Sequence, residues 1–298
     1  MKPRSDISRA VEQFLRQMAA NGCAALSIQT YRRELLQLMQ ALPDVPLSRL
    51  TPDRLNGYLA STGVQQKIDG TPKQVATVNR TKSVIRAFFR WCQQTGLINR
   101  NPAAHVRLAV TASPSTPHMT RAELARFFRI IRSSPYSLAD RDYAMFATLA
   151  YTGIRLSDAI RLKTSDVDFL YRQLLLQHTK GGRREHRYLP DRLSRILSRY
   201  IQGCRGDPNG QTLFLTRDGQ PLSPRAVQYR FAFWLRQARI RKLVSVHSLR
   251  HTFGTLLYQT TKDLLLVSRA LGHRDVKTTL RYARPGDEIL AKAVDRMW

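Results

Sequence analysis

Apolar residues recur every three or four positions through most of the first hundred residues, the period of helices that bury one face. "SRAVEQFLRQMAANG" puts Val11, Phe14, Leu15 and Met18 on one side and stops at Gly22. "SIQTYRRELLQLMQAL" repeats the pattern with Ile28, Tyr31, Leu35, Leu38 and Met39. "TPDRLNGYLAS" begins with threonine and proline, a helix-start signal. "KQVATVNRTKSVIRAFFRWCQQTG" is longer, with Val78, Ile85, Phe88, Phe89 and Trp91 inward and Arg80, Lys82, Arg86 and Arg90 partly outward.

The pattern then lapses. "AVTASPSTPHMT" is rich in small residues and proline, which predicts an extended linker over 109–119 between domains at 1–108 and 120–298. Thr120 followed by Glu123 marks a capping box opening the next helix. "LADRDYAMFATLAYTG" predicts another, closed by Gly153. Past it the period shortens to two, predicting strands near 165–169, 174–178 and 185–189, the last two joined across a Gly-Gly turn. Helices are expected again at 191–203, 224–239, 246–258, 263–271 and 275–283, Ser245 capping the third and Leu249, Phe253 and Leu256 forming its buried side. Ile289, Leu290, Ala293, Val294 and Met297 recur at helical spacing after the Pro285-Gly286 break. The fold class is mainly α: an N-terminal helical bundle, then an α+β domain with a small antiparallel sheet.

Charge changes the picture. The 298 residues carry a formal net charge of +28, far beyond what solubility asks. Such an excess points to a polyanionic partner, nucleic acid first. Arginine dominates the basic side, and its planar fork meets phosphate oxygens two at a time. Residues 1–110 alone net +10, which suggests a helical clamp on a phosphate backbone, although each base singly reads as part of a solvated face. Cys23, Cys92 and Cys204 are scattered and odd in number, as in a reducing compartment. No run approaches 18 apolar residues, so the expectation is a cytoplasmic protein without a membrane span.

Chemistry-bearing residues gather at element junctions of the second domain. "YTGIRLSD" sets Arg155 just past a glycine at a helix start, with Asp158 one turn on. "HTKGGRREHRY" sets Lys180 at a hairpin tip, near Arg183, Arg184 and Arg187. "VHSLRHTFG" spaces His247 and Arg250 three apart on one helix face. "LGHRDVKTTLRYARPG" carries His273 and Tyr282 nine apart. Each has a bland reading. Arg155 alone suggests a surface ion pair with Asp158, Lys180 a solvated turn, and Tyr282 a core or surface tyrosine. His247 and His251, four apart, could suggest zinc, but neither the metalloprotease glutamate nor a third ligand accompanies them.

Together "TGIRLSD", "TKGG", "HSLRHTFGT", "LGH" and "TTLRYA" resemble the tyrosine recombinases, the phage integrase family with its Xer-like members. The resemblance is strongest over 150–285 and extends weakly over the whole chain. It implies a SAM-like, core-DNA-binding N-terminal bundle ahead of a catalytic domain. It implies an enzyme that cuts and rejoins DNA through a 3′-phosphotyrosyl link, for integration, excision or dimer resolution. By the family's pattern Tyr282 is the nucleophile, and Arg155 and Arg250 clamp the nonbridging phosphate oxygens. Lys180 protonates the leaving 5′-oxygen, and His247 and His273 assist proton movement. Asp158 orients Arg155, Arg183, Arg184 or Arg187 could touch the phosphate as well, and His251 is structural. No cofactor or metal is implied. The implied partners are double-stranded DNA bearing a specific site and a tetramer of the chain with its C-terminal helix exchanged between protomers. A second recombinase or accessory protein is also possible within the family. Two alternatives share the residues: a type IB topoisomerase, which the compact N-terminal bundle disfavours, and a non-catalytic DNA-binding regulator, which would need a dead position where all are filled.

Overall fold

The computed structural model describes residues 6–43, 45–110, 117–177, 184–203 and 212–272. The chain forms two compact units, Met1–Ser113 and Pro114–Trp298.

Among the described residues the first unit holds five α-helices: α1 (Asp6–Ala20), α2 (Ala25–Ala41), α3 (Pro52–Ala60), α4 (Thr62–Gln65) and α5 (Val75–Gln94). The apolar stripes meet as their spacing predicts. Val11, Phe14, Leu15, Leu35, Leu38, Val78, Ile85, Phe88 and Phe89 are all buried. Phe88 lies edge-on to Phe14 at 5.6 Å and to Phe89 at 5.1 Å between ring centroids. Each such side chain withdrawn from water contributes about 1.5–3 kcal/mol, so this cluster dominates the unit's stability. Pro52 opens α3, and the Thr51 hydroxyl accepts from the Arg54 amide at 3.4 Å. The short α4 follows without a cue in the apolar spacing. A carboxylate sits inside: Glu34 accepts from Arg33 at 2.8 Å and from the hydroxyl of the equally buried Thr81 at 2.7 Å. Of the four α5 bases, Arg80 and Arg90 are exposed, whereas Lys82 donates to the Arg107 carbonyl at 3.3 Å. Asn79 exchanges two hydrogen bonds with the Ala109 backbone, which ties that residue to the first unit.

The second unit winds around α7 (Ala139–Thr152), which packs against α6 (Arg121–Arg132), α9 (Asp191–Gly203) and α11 (Val246–Thr261). A helix with neighbours on several sides is buried nearly all round, and most of α7 is. The Thr120–Glu123 capping box forms in both directions, at 3.1 and 2.7 Å. α8 (Leu156–Arg161) leads to a three-stranded antiparallel sheet, β1 (Val167–Asp168), β2 (Gln173–Leu176) and β3 (Glu185–Tyr188), in that order. These strands are shorter than the alternation suggests. Before β1, Thr164–Asp166 coils into a helical turn because the Asp166 carboxylate caps the Lys163 amide at 2.8 Å. α10 (Pro224–Gln237) starts at Ser223, whose hydroxyl accepts from the Ala226 amide at 3.1 Å. At the start of α11 the Ser245 amide donates to the Ser248 hydroxyl at 3.0 Å. That helix runs three residues past the expected end, to a left-handed Lys262. Asp263 then caps α12 (Leu264–Leu271) through the Leu266 amide at 2.9 Å. The helix expected at 275–283 and the C-terminal one lie outside the described residues. Among the described residues no helix is long and apolar enough to cross a membrane.

Candidate functional site

The site grows from the C-terminal end of α7. That helix ends at Gly153, in the left-handed conformation with φ +62°. A Cβ there would stand 2.5 Å from Phe253 Cδ1 and 2.9 Å from Leu271 Cδ2, so only glycine lets α7, α11 and α12 converge. Two residues on, Arg155 takes the extended N-cap position of α8 and is half-buried.

Arg250 comes up from α11 and is 5% exposed. Its Nη1 donates to the Gly153 carbonyl and its Nη2 to the Leu271 carbonyl, each at 2.6 Å. Both carbonyls belong to helix C-termini, where unsatisfied oxygens concentrate negative potential and favour a cation. The guanidinium therefore ties the end of α7 to the end of α12.

Asp158 is buried in the first turn of α8, its amide donating to the Arg155 carbonyl at 2.9 Å. Its carboxyl is pushed above the usual carboxylate range, mainly by burial. The positive charges of Arg155 and Arg250 pull the other way, as do hydrogen bonds from the Arg155 backbone and the Ser157 hydroxyl. Both arginines thus act on the same carboxylate, at the point where α7, α8 and α11 meet.

His247 is exposed on the first turn of α11, its ring 4.8 Å from that of the buried His251 and nearly perpendicular to it. His251 is packed inside, in keeping with a structural part. Of the residues singled out in the sequence, the fold brings together Arg155, Asp158 and Arg250, with His247 on the same helix as Arg250. Lys180, His273 and Tyr282 lie outside the described residues. The carbonyls of Gly153 and Leu271 carry no side-chain signal, and only the two glycines that end α7 and α12 hinted at them.

A second basic feature is formed by the end of α6 and by α9, beside the start of α7. Arg132, Arg192, Arg195 and Arg199 line a cavity of about 390 Å³ with Tyr143 and Asp140. Arg192, Arg195 and Arg199 share one helical face, opposite the buried Leu193 and Leu197.

Two family descriptions match. Residues 117–288 match the phage integrase family, and residues 11–96 match the phage integrase N-terminal SAM-like domain. The chain is 25% identical over 287 residues to the tyrosine recombinase XerC of Neisseria meningitidis serogroup B, covering 96% of this chain and 93% of that protein. It is 27% identical over 293 residues to XerC of Alcanivorax borkumensis, covering 96% and 92%. In fold it is similar to a XerH site-specific recombinase bound to palindromic difH in a post-cleavage complex, with TM-score 0.76, 18% identity and coverage of 99% and 97%. It is also similar in fold to a lambda integrase dimer bound to a core site, with TM-score 0.73, 20% identity and coverage of 92% and 94%.

Proposed function

The chain belongs to the phage integrase family as a Xer-like tyrosine recombinase, and from that premise we propose how its residues cut and rejoin DNA at a specific site. The scissile phosphodiester sits over the junction of α7, α8 and α11. Arg155 and Arg250 meet its nonbridging oxygens, where negative charge grows in the transition state of phosphoryl transfer. The Tyr282 phenol attacks phosphorus; the new P–O bond forms as the bond to the 5′-oxygen breaks. The phenol's ordinary pKa is near 10, so its proton must be taken up as it attacks, the work of His247 and His273. Lys180 gives a proton to the leaving 5′-oxygen, which departs as a hydroxyl. A partner strand's 5′-hydroxyl then reverses the step. Asp158 holds Arg155 in place from the first turn of α8.

The supporting observation is Arg250, buried and held by the carbonyls of Gly153 and Leu271 within electrostatic reach of the carboxylate beside Arg155. A guanidinium fixed in this way needs little reorganisation when charge develops. The experiment is a nicked candidate site that traps the covalent adduct. The wild-type protein accumulates it, and Tyr282→Phe binds the same DNA without forming any; an adduct that survives the change removes Tyr282 from the role.

The active form in this reading is a tetramer on double-stranded DNA in the cytoplasm, the N-terminal unit clamping the backbone. Each C-terminal segment docks on a neighbour. A 400 Å³ groove floored by Leu124, Ala150, Phe253, Leu256 and Leu257, with Arg121 and Arg192 at its edge, matches the apolar spacing and the acidic Asp287 and Glu288 of that segment. Deleting residues 287–298 is expected to spare binding of a single half-site and abolish the four-protomer complex; a complex that persists contradicts the exchange.

A further inference from the structure

The hairpin strand β3 carries a charged pair where an apolar one would be unremarkable. Arg187 stands opposite Leu174 and Glu185 opposite Leu176. Residues paired across a sheet share a face, and both leucines are buried, so Glu185 and Arg187 face inward. The Arg187 side chain is 11% exposed. Its Nη2 donates to Glu185 and its Nη1 to the His186 carbonyl at 3.0 Å. Its Nε is enclosed without an acceptor among the described residues.

What this pair faces is the end of α12. Gly272 has φ +63°, and a Cβ on it would come 2.8 Å from Glu185 Oε2 and closer still to the Arg187 guanidinium. On the same short stretch, the Leu271 carbonyl accepts from Arg250 at 2.6 Å. Leu271–Gly272 is therefore held by Arg250 and lies against the β3 pair. In sequence His273 follows Gly272 directly, and Lys180 precedes Arg187 by seven residues in the same hairpin.

We infer that Arg187, braced by Glu185, is a positioning residue that sets the lysine hairpin against the end of α12, so that Lys180 reaches the leaving oxygen in register with His273. This rests on the proposed function above. It gives the ion pair a role in proton delivery without contact to substrate. Glycine at 272 suits the left-handed backbone there, and the guanidinium lies in the space a side chain would enter.

The test compares single-turnover cleavage of two otherwise identical DNA sites, one with the ordinary 5′-oxygen leaving group and one with sulfur at that bridging position. A thiolate leaves without a proton, so a defect in proton delivery disappears on the sulfur site. Lys180→Ala is expected to lose about 100-fold or more on oxygen and to recover on sulfur. Arg187→Met is expected to lose about 10- to 100-fold on oxygen, the cost of a misplaced donor, and to recover to within a few-fold on sulfur. Glu185→Gln follows the same pattern in smaller measure, and DNA affinity stays unchanged in all three. A merely structural arginine would slow both substrates alike. If Arg187→Met melts too early to assay, Arg187→Lys reads the same contrast, because it keeps the charge but cannot span Glu185 and the His186 carbonyl at once. Equal loss on both sites, or no loss on either, beside a rescued Lys180→Ala, overturns this inference and leaves the proposed function standing. A Lys180→Ala defect that sulfur does not relieve overturns the assignment of the lysine, and the positioning role with it.

Discussion

The two ends of α7 carry buried carboxylates in opposite circumstances. Near its start, Asp142 accepts from Arg141 at 2.6 and 3.0 Å, from Arg230 at 2.7 Å and from the Trp234 indole at 2.7 Å. Arg141 in turn donates to the Leu215 carbonyl at 3.0 Å. This network is saturated and joins α7 to α10. Past the other end, Asp158 has, among the described residues, a Ser157 hydroxyl contact at 3.4 Å, the Arg155 backbone and the charges of Arg155 and Arg250, and its carboxyl is still displaced upward by burial. On the proposed function, the difference separates a polar cluster that holds the fold from one that receives a ligand's charge.

The largest effect should come from the saturated end. Asp142→Asn leaves two guanidiniums without their counter-charge, a loss of about 3–5 kcal/mol for a broken buried pair. The second unit should melt well below the wild type in calorimetry, with the N-terminal unit unaffected. A melting temperature near that of the wild type would erase the contrast between the two ends.

Asp158→Asn should move the other way. A carboxyl whose folded pKa lies above its unfolded one contributes stability below the unfolded value and loses it as pH rises through the folded one. At neutral pH the charged, desolvated Asp158 is therefore a burden on the free protein. The amide should raise the melting temperature by a few degrees, at about 2–4 °C per kcal/mol for a unit this large. The gain should vanish when both forms are compared below the carboxyl's unfolded pKa. A fall in melting temperature at pH 7 would mean that the arginines outweigh burial at this site.

Much of this was legible in the chain. The stripes of α1, α2 and α5, the box at Thr120 and the stop at Gly153 follow from local rules, because an amphipathic helix and its caps are written in consecutive residues. The strand limits were not, since Asp166 diverts the backbone into a helical turn before β1. Nor was the depth of Arg250. Spacing places it beside His247 on one helical face, whereas only the tertiary fold supplies the two helix-end carbonyls that draw it inside. The surroundings of Arg187 were equally hidden, because it lies against a glycine 85 residues away in the sequence.

Arg155→Ala tests the central claim most directly. Arg155 is half-buried, and its positive charge acts on the buried Asp158 carboxylate one turn further along α8. Adduct formation on a nicked site, measured per folded and DNA-bound molecule, should fall by about 100- to 1,000-fold, the loss expected for a donor aimed at developing charge. The melting temperature should fall modestly, because the change takes a positive charge from beside the buried Asp158 carboxylate, and the count per folded molecule separates that loss from the loss of chemistry. Adduct formation at the wild-type rate would contradict the account, placing the phosphate away from the end of α7.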